Sequence, residues 1–478
     1  MRNGADYRAA LAAANPEVYL AGQRVDPASH PAFAGAIASY ARLYDLQSDE
    51  DNAELLSFAD NGTRYPMSHL VPTSAEDLVR RRKASEAWAR LSGGMLGRTS
   101  DYLNSALTAL GAASEWFAQA DPQFAANIAN YTSWVREEDI FATYALVPPQ
   151  INRSMPPAEQ AGGGVSLRIV DEDDSGIIVS GARMIGTAAP MSDELLVFPA
   201  TVLRPGPEDT QYSFAFAIPT DTPGLKFLCR APLAHGQGVA GEPLAARFEE
   251  MDATCIFNRV HVPYDRIFLL GHPELANGFY SQTGASVLMA HQVISRTTVK
   301  SEFYAGLLLE MADAIGIAGF DHIRDDIAQA IMAAQLGRSA LRASEVDGFT
   351  NAHGFFQPDP APLDAVRNWF PRSFHAFSQA VRKFGASGLV ALPTAADLAG
   401  PAAGDIATYL QSANRSGEER VRLFQLAFDA AVSSFAGRQE LYEYFFFGDP
   451  MRMASAYVDS ADTEPMRELV RQLLETDN

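Results

Sequence analysis

Arg98 and Tyr102 lie four residues apart in "GRTSDYLNSALTAL", residues 97–110, and straddle a helix start just after the Gly-Gly of "LSGGMLG". A helix N-terminus offers free amide donors and the positive end of the helix dipole, and an adjacent arginine adds a forked cation. Together they could hold a phenolate, a carboxylate or a phosphate. Ser100 reads as the N-cap and Asp101 suits the first turn, so a well-capped connector is the competing reading.

His291, in "LMAHQVISRTTVK", shares a helical face with Ser295 and Thr298, while Arg296 and Lys300 share another. An imidazole near neutral pKa suits proton abstraction from a phenol; a hydrogen-bonded structural role is the alternative. In "FATYALVPPQINRS", residues 141–154, Pro148 and Pro149 force an extended backbone. That leaves Gln150, Asn152 and Arg153 free to bond a ligand, or simply to link two domains. Gly186, Thr187, Ala188, Ala189 and Pro190 form a small-residue break between strand-like runs. A flat ligand could approach the backbone there and meet the Thr187 hydroxyl, an ordinary turn being the alternative.

Bulk composition narrows the chemistry. The 478 residues are 47% hydrophobic and 20% charged, with 37 Lys+Arg against 58 Asp+Glu, a net charge of −21. Such a surface repels nucleic acid and anionic membranes, and "RRRK" at 80–83, with Glu76, Asp77 and Glu86 nearby, reads as a solvated helix face. No apolar run approaches a membrane span and no signal-like segment opens the chain, so a cytoplasmic location is expected. Two cysteines, Cys229 and Cys255, are too few for a disulfide framework or a chain-borne iron–sulfur site. There is no GxGxxG after a strand, no P-loop, HExxH, GxSxG or Cys-x-x-Cys. No metal site is expected, and any redox cofactor needs an architecture other than a Rossmann fold.

The elements that must position these residues fall into three textures. Residues 4 to about 145 have helical periodicity, with Thr73 and Glu76 at capping-box spacing before "DLVRRRKASEAWARL". From 147 to about 268 short β-branched or aromatic runs alternate with Gly, Pro and Asp, and "DEDDSG" at 171–176 reads as a turn. Beyond about 278, "ASVLMAHQVISRTTVKSEFYAGLLLEMADAIG", "DHIRDDIAQAIMAAQLGRSALRASEV" and "GEERVRLFQLAFDAAVSSFAGRQELYEYFFF" each read as a long apolar helix. The expected fold is α+β, mainly α: an N-terminal helical domain (1–146), a central β domain (147–270) and a C-terminal helical bundle (271–478).

"VYLAGQRV", "HPAF", "LYDLQSD", "GRTSDYLN", "LVPPQINRS", "DSGIIVSGARMIGTAAPMSDELLVFP", "HQVISRTTVKSEFYAGLLLEMADAIG" and "GRQELYEYFFFGDP" follow one another along nearly the whole chain. In that order they resemble the 4-hydroxyphenylacetate 3-hydroxylase family, oxygenase components of two-component, FADH2-dependent aromatic monooxygenases. The resemblance implies an acyl-CoA dehydrogenase-like fold with a central β barrel-like domain and a C-terminal four-helix bundle, assembled as a homotetramer, a dimer of dimers. It implies FAD used as FADH2, O2, a separate NAD(P)H:flavin reductase, and hydroxylation of a phenol through a flavin C4a-hydroperoxide.

By the same resemblance Arg98 and Tyr102 line the phenol pocket, and His291 falls where chlorophenol monooxygenases carry a base. Tyr144, Ala145, Leu146, Gln150, Asn152, Arg153 and Thr187 fall on flavin-contacting segments, with Phe435, Gly437 and Arg438 near a further flavin contact. Many members read His-Ala-Leu where this chain reads Tyr144-Ala145-Leu146, and that histidine touches the phenol; a tyrosine donates a hydrogen bond but stays neutral. The residues around "AQADPQFAANIAN" lean towards the chlorophenol subgroup. A 4-hydroxybutyryl-CoA dehydratase of the same fold would need cluster cysteines where Arg98, Tyr102 and Thr298 stand. An acyl-CoA dehydrogenase-like flavoenzyme acting on a non-phenolic substrate would share the fold, and so would a catalytically altered family member.

Overall fold

A computed structural model of the chain describes residues 1–152, 154–200 and 202–474. Helices α1 (Gly4–Ala13) and α2 (Pro31–Ser48) open the chain, but β1 (Glu17–Leu20) and β2 (Gln23–Val25) intervene. The "EVYL" run alternates, burying Val18 and Leu20, which is the period of a strand rather than a helix. Three helices follow: α3 (Ala75–Arg90), α4 (Ser100–Ala112) and α5 (Pro122–Glu138). Asp139 ends the last of these in the left-handed conformation.

Two caps and one charged run differ from the sequence reading. The α3 cap is Ser74, which accepts from the Asp77 amide, while Asp77 takes the Thr73 amide and hydroxyl. The cap therefore sits one residue later than Thr73, and the Asp77 carboxylate reaches back past it to Thr73 rather than closing a capping box. The α4 cap is Thr99 rather than Ser100, and its hydroxyl donates to the Asp101 carboxylate. "RRRK" is only in part a solvated face: Lys83 is exposed, but α3 packs its other side against the rest of the chain. Arg81 is buried and donates to the Ser68 and Leu70 carbonyls and the Ser105 hydroxyl, and Arg82 reaches Glu345.

The middle of the chain supplies β3 (Ala142–Tyr144), β4 (Arg168–Asp173), β5 (Gly176–Thr187), β6 (Glu194–Val197), β7 (Phe214–Pro219), β8 (Leu225–Cys229), β9 (Asp252–Pro263) and β10 (Ile267–Leu270). Of the two larger sheets, one runs β2-β1-β8-β9-β5-β4 and the other β10-β7-β6-β3; two-stranded hairpins at 57–66 and 349–357 lie apart from them. The N-terminal β1 pairs in parallel with β8, and β3 pairs in parallel with β6, so both ends of the first helical region are stitched into the sheets.

Beyond Leu270 the chain is mainly helical: α6 (Pro273–Gln282), α7 (Ala285–Ala314), α8 (Asp321–Val346), α9 (Pro360–Gly385), α10 (Gly417–Ala431), α11 (Ser434–Phe445), α12 (Pro450–Ser460) and α13 (Glu464–Leu474). α7 packs against α8 and α9, and α9 also against α10, forming a four-helix bundle. The continuous helix expected over 417–447 breaks at Val432–Ser433, where the Ser433 hydroxyl caps α11. One buried core runs through all three regions. No helix among the described residues is long and apolar enough to cross a membrane.

Candidate active site

The segment between α3 and α4 carries Arg98, and its course is set by two glycines. Gly94 has φ +78° and lies so close to α7 that a Cβ would come within 2.8 Å of the Lys300 side chain. At Gly97 a Cβ would sit 2.0 Å from the Tyr442 hydroxyl. Three anchors hold this loop. The Gly94 carbonyl accepts from Arg296 (2.9 Å), the Met95 carbonyl from Gln439 (3.1 Å), and the Gly97 and Arg98 amides donate to one oxygen of the buried Glu250 carboxylate.

Held there, Arg98 projects into a box of aromatic rings. Its guanidinium carbon lies 4.2 Å from the Phe446 ring centroid, 4.6 Å from Tyr102, 4.8 Å from Tyr144 and 5.5 Å from Tyr442. It donates to the Tyr442 hydroxyl at 2.9 Å, and among the described residues no carboxylate bonds to it. The Tyr102 and Tyr144 hydroxyls are 3.0 Å apart. Burial, reinforced by Tyr144, pushes the Tyr102 phenol well above its ordinary range. Burial alone would weaken the Arg98 cation, but the surrounding phenols and Glu250 outweigh it and raise its pKa. The box thus presents one fixed positive charge and two paired hydroxyls.

Behind it lies a buried ion cluster. Glu443 accepts a bidentate pair from Arg296 (2.6 and 2.9 Å) and a further bond from Lys300 (2.7 Å). Burial opposes its charge, but the two cations hold the carboxyl down at about 2, while burial draws Lys300 down to about 8. Arg296 and Lys300 share the face expected of them, and that face meets α11.

The candidate flavin residues lie on the other side of Glu250. Its second oxygen accepts from Arg438 (3.2 Å), which also forks onto Asp252 (2.8 and 3.0 Å). Asp252 in turn accepts from the Thr187 hydroxyl (2.7 Å) and Arg230 (2.9 Å). Tyr144, Ala145 and Leu146 run along the β3 edge, where Ala145 donates to Leu196 and Val147 bridges to Met184. Next to Met184, Ile185 is 54% exposed with φ +63°, a strained conformation for a β-branched residue.

Exposed Gln150, Asn152 and Ile151 follow on the loop, although the Asn152 side-chain oxygen is taken by Ser154. Arg153 lies outside the described residues. Gly437 faces open space, whereas Phe435 is buried in the core and has no surface to offer a ligand. The surface these residues offer a flat ring system is therefore Ile185, Gln150, Ile151 and Gly437, because the small-residue break at 186–190 is buried and the Thr187 hydroxyl is taken by Asp252.

His291 is not brought to the Arg98 box. It is 2% exposed, with Nε2 3.0 Å from Glu345 of α8, and Arg82 on the same carboxylate. The neighbouring Gln292 reaches Asp101 of α4 instead. One residue along a helix rotates the side chain by about 100°, so α7 gives Gln292 to the Arg98 side and His291 to α8. Its face-mates agree: Thr298 packs against Gly337 of α8. Burial lowers the His291 pKa, with Arg81 and Arg82 acting the same way and Glu345 opposing them. The histidine expected as the pocket's base thus stands beside Glu345 rather than beside Arg98.

Sequence spacing does not single out Tyr442, Phe446, Glu250 or Asp252. Tyr442 and Phe446 are four apart in "LYEYFFF", and Glu250 and Asp252 interrupt an apolar run in "RFEEMDATC"; those are the local signals that could have found them.

Comparison with known proteins decides the family. Residues 3–269 match the 4-hydroxyphenylacetate 3-hydroxylase N-terminal family and residues 276–475 the C-terminal one. The chain belongs to the 4-hydroxyphenylacetate 3-hydroxylase family. It is 41% identical to the 4-hydroxyphenylacetate 3-monooxygenase oxygenase component of Geobacillus sp., covering 99% of this chain and 96% of that one. It is also 41% identical to that of Thermus thermophilus, covering 99% and 97%. A solved oxygenase component complexed with FAD and 4-hydroxyphenylacetate superposes with a TM-score of 0.95 at 41% identity, covering 99% and 98%. An archaeal 4-hydroxybutyryl-CoA dehydratase, 23% identical with a TM-score of 0.88, shares the fold.

Proposed function

We propose that this protein is the oxygenase component of a two-component aromatic monooxygenase, using reduced FAD and O2 to hydroxylate a phenol. The observation that carries the reading is Arg98, whose guanidinium lies within 4.2–5.5 Å of four rings and, among the described residues, bonds to no carboxylate. A slot of that kind selects a flat aromatic ligand and rewards it for becoming an anion.

When bound, the reduced flavin supplies an electrophilic oxygen derived from O2. Tyr144, Ala145 and Leu146 on the β3 edge, Gln150 and Asn152 on the loop after it, and Thr187 at the end of β5 would hold the ring system, with Arg438 fixed nearby by Asp252. What this chain must do is make the substrate nucleophilic and keep it in place. Arg98 stabilises the phenolate, because opposite charge at short range in a poorly hydrated box favours the ionised form. The Tyr102–Tyr144 hydroxyl pair, 3.0 Å apart, would bond the phenolic oxygen and hold it beside Arg98. Aromatic walls exclude water and align the ring carbon beside the oxygen to be attacked.

A separate flavin reductase supplies the reduced cofactor, since this chain carries no dinucleotide-binding fingerprint. Exposed apolar residues on α8 (Ile331, Met332, Leu336) and on α13 (Met466, Leu469, Leu473) fit burial in a homotetramer. The test is turnover with a flavin reductase, NAD(P)H, FAD and a panel of phenols. Hydroxylated product that requires both proteins supports the reading. NAD(P)H oxidation by the oxygenase alone, or no product from any phenol, contradicts it.

A further inference from the structure

Lys300 of α7 and Gln439 of α11 meet behind the Arg98 box. Both are buried, and the Lys300 ammonium donates to the Gln439 side-chain oxygen at 2.6 Å. An ammonium has hydrogens to give and no lone pair to offer, so it fixes which end of the amide faces it. The amide nitrogen is turned the other way, and it donates to the Met95 carbonyl at 3.1 Å. Met95 stands three residues before Arg98.

A parallel link runs beside this one. Arg296, one turn before Lys300, forks onto Glu443 and gives a further hydrogen to the Gly94 carbonyl at 2.9 Å. Two consecutive carbonyls of the loop are therefore held by cations of α7, one directly and one through Gln439. The Gly97 and Arg98 amides go to the Glu250 carboxylate. Carbonyls meet cations and amides meet an anion, so the backbone leading into Arg98 is set before any ligand arrives. Gln439 and Glu443 also share a face of α11 with Tyr442 and Phe446, two of the rings around Arg98. The same contacts thus fix the loop and two walls of the box together.

A buried cluster of charges is a weak source of stability, since apolar side chains of similar volume often do as well or better. What such a cluster can supply is one geometry held against its alternatives. Arg98 is where geometry counts, because a cation stabilises charge on a ligand best when it need not move to meet it.

We propose that Lys300 and Gln439 are positioning residues for the phenol site. The relay from Lys300 through Gln439 to the Met95 carbonyl, beside the one from Glu443 through Arg296 to Gly94, pre-sets Arg98 for a phenolate. This deepens the phenol-hydroxylase reading and rests on it.

Three variants of the full-length protein test the relay. Gln439→Leu keeps bulk and removes the amide. Gln439→Glu keeps an acceptor for Lys300 and brings no donor to Met95. Lys300→Met removes the ammonium and leaves Arg296 and Glu443 as a one-to-one pair. Hydrogen exchange read by mass spectrometry, without ligand, should be at least tenfold faster over residues 95–98 in each variant, with β5 and α10 unchanged. Binding of 4-nitrophenolate to protein loaded with reduced FAD, in the absence of oxygen, should weaken at least fivefold. Reduced FAD itself should bind within twofold of wild type.

Wild-type exchange over 95–98 in the two Gln439 variants would overturn the proposal. So would faster exchange with unchanged nitrophenolate affinity, which would make the relay merely structural, or an equal loss of nitrophenolate and reduced FAD. The Gln439 variants leave the Arg296–Glu443–Lys300 cluster intact, so the proposal stays exposed even if Lys300→Met does not fold. A wild type that binds no phenolate would contradict the phenol-hydroxylase reading, and the ligand-free exchange contrast would still decide the relay.

Discussion

The Tyr102 and Tyr144 hydroxyls stand 3.0 Å apart, each ring within 5 Å of the Arg98 guanidinium. One residue comes from the first turn of α4 and the other from the end of β3, so the pair joins the helical region to the β sheet. The contact makes two phenols into one donor–acceptor unit in front of a fixed cation.

Breaking that unit should be felt by substrate. Tyr144→Phe keeps the ring and removes one neutral hydrogen bond, worth about 0.5–1.5 kcal/mol. Steady-state hydroxylation should lose roughly two- to tenfold in kcat/KM, with the melting temperature nearly unchanged. An unaltered kcat/KM would remove Tyr144 from the pocket.

Glu250 should matter to both halves of the site. It fixes the Arg98 amide with one oxygen and the Arg438 guanidinium with the other. Glu250→Ala strips a buried guanidinium of a partner and orphans two amides, a change that costs on the order of 3–5 kcal/mol where a buried pair is broken. Glu250→Gln keeps the amide acceptor and should be milder. Chemical denaturation should rank the stabilities wild type, Gln, then Ala, and titrations should show the Gln variant weakened towards both reduced FAD and phenol. A Gln variant impaired towards neither would make the link merely structural.

His291→Asn should change stability and leave the pH dependence of hydroxylation alone. In the folded chain burial lowers the His291 pKa below its unfolded value. The unfolded chain therefore binds the proton first, and stability falls as pH drops below the unfolded pKa of about 6.5. That part of the acid sensitivity should disappear in the variant, measured as the difference in unfolding free energy from wild type between pH 7 and pH 5. A loss of rate confined to weakly acidic phenols and rescued at high pH would restore His291 as a base.

His69 offers a larger version of the same effect. Buried against Arg81 and Arg136, with Nε2 unpartnered, it is drawn down to about 3. At pH 5 its neutral burial should cost the fold about 2 kcal/mol relative to pH 7, at about 1.4 kcal/mol per pH unit below 6.5. His69→Gln should flatten the wild-type stability curve by that amount. A variant whose curve runs parallel to wild type would show His69 titrating normally.

The helix–β–helix order is legible in the sequence because hydrophobic period changes twice along the chain, at "VPPQINRS" and again near "ASVLMAHQ". The phenol-side pair Arg98 and Tyr102 is legible because a helix start puts an arginine and a phenol on one side of a turn. The caps shift by one residue because Thr73, Ser74, Thr99 and Ser100 are adjacent candidates, and which hydroxyl caps depends on backbone angles. The setting of His291 is not legible, because a helix face can be read from spacing, but not which neighbour that face meets. That Glu250 and Asp252 meet Arg438, itself placed near the flavin by the family resemblance, is beyond reach for a simpler reason. They converge from β9, its lead-in and α11, almost 190 residues apart, and no local pattern records that meeting.

In the proposed chemistry Arg98 stands at the centre, as the group that would make the bound phenol ionise. An opposite charge at this range typically moves a pKa by about one to three units. The direct measurement is a visible-absorbance pH titration of a chromogenic phenol such as 4-nitrophenol bound to the protein with reduced FAD, in the absence of oxygen. Wild type should hold the phenolate with a pKa at least one unit below that of the free phenol, and Arg98→Met should return it to the free value or above. A bound pKa equal to or higher than the free value in wild type, or a lowered pKa that survives Arg98→Met, would contradict the account.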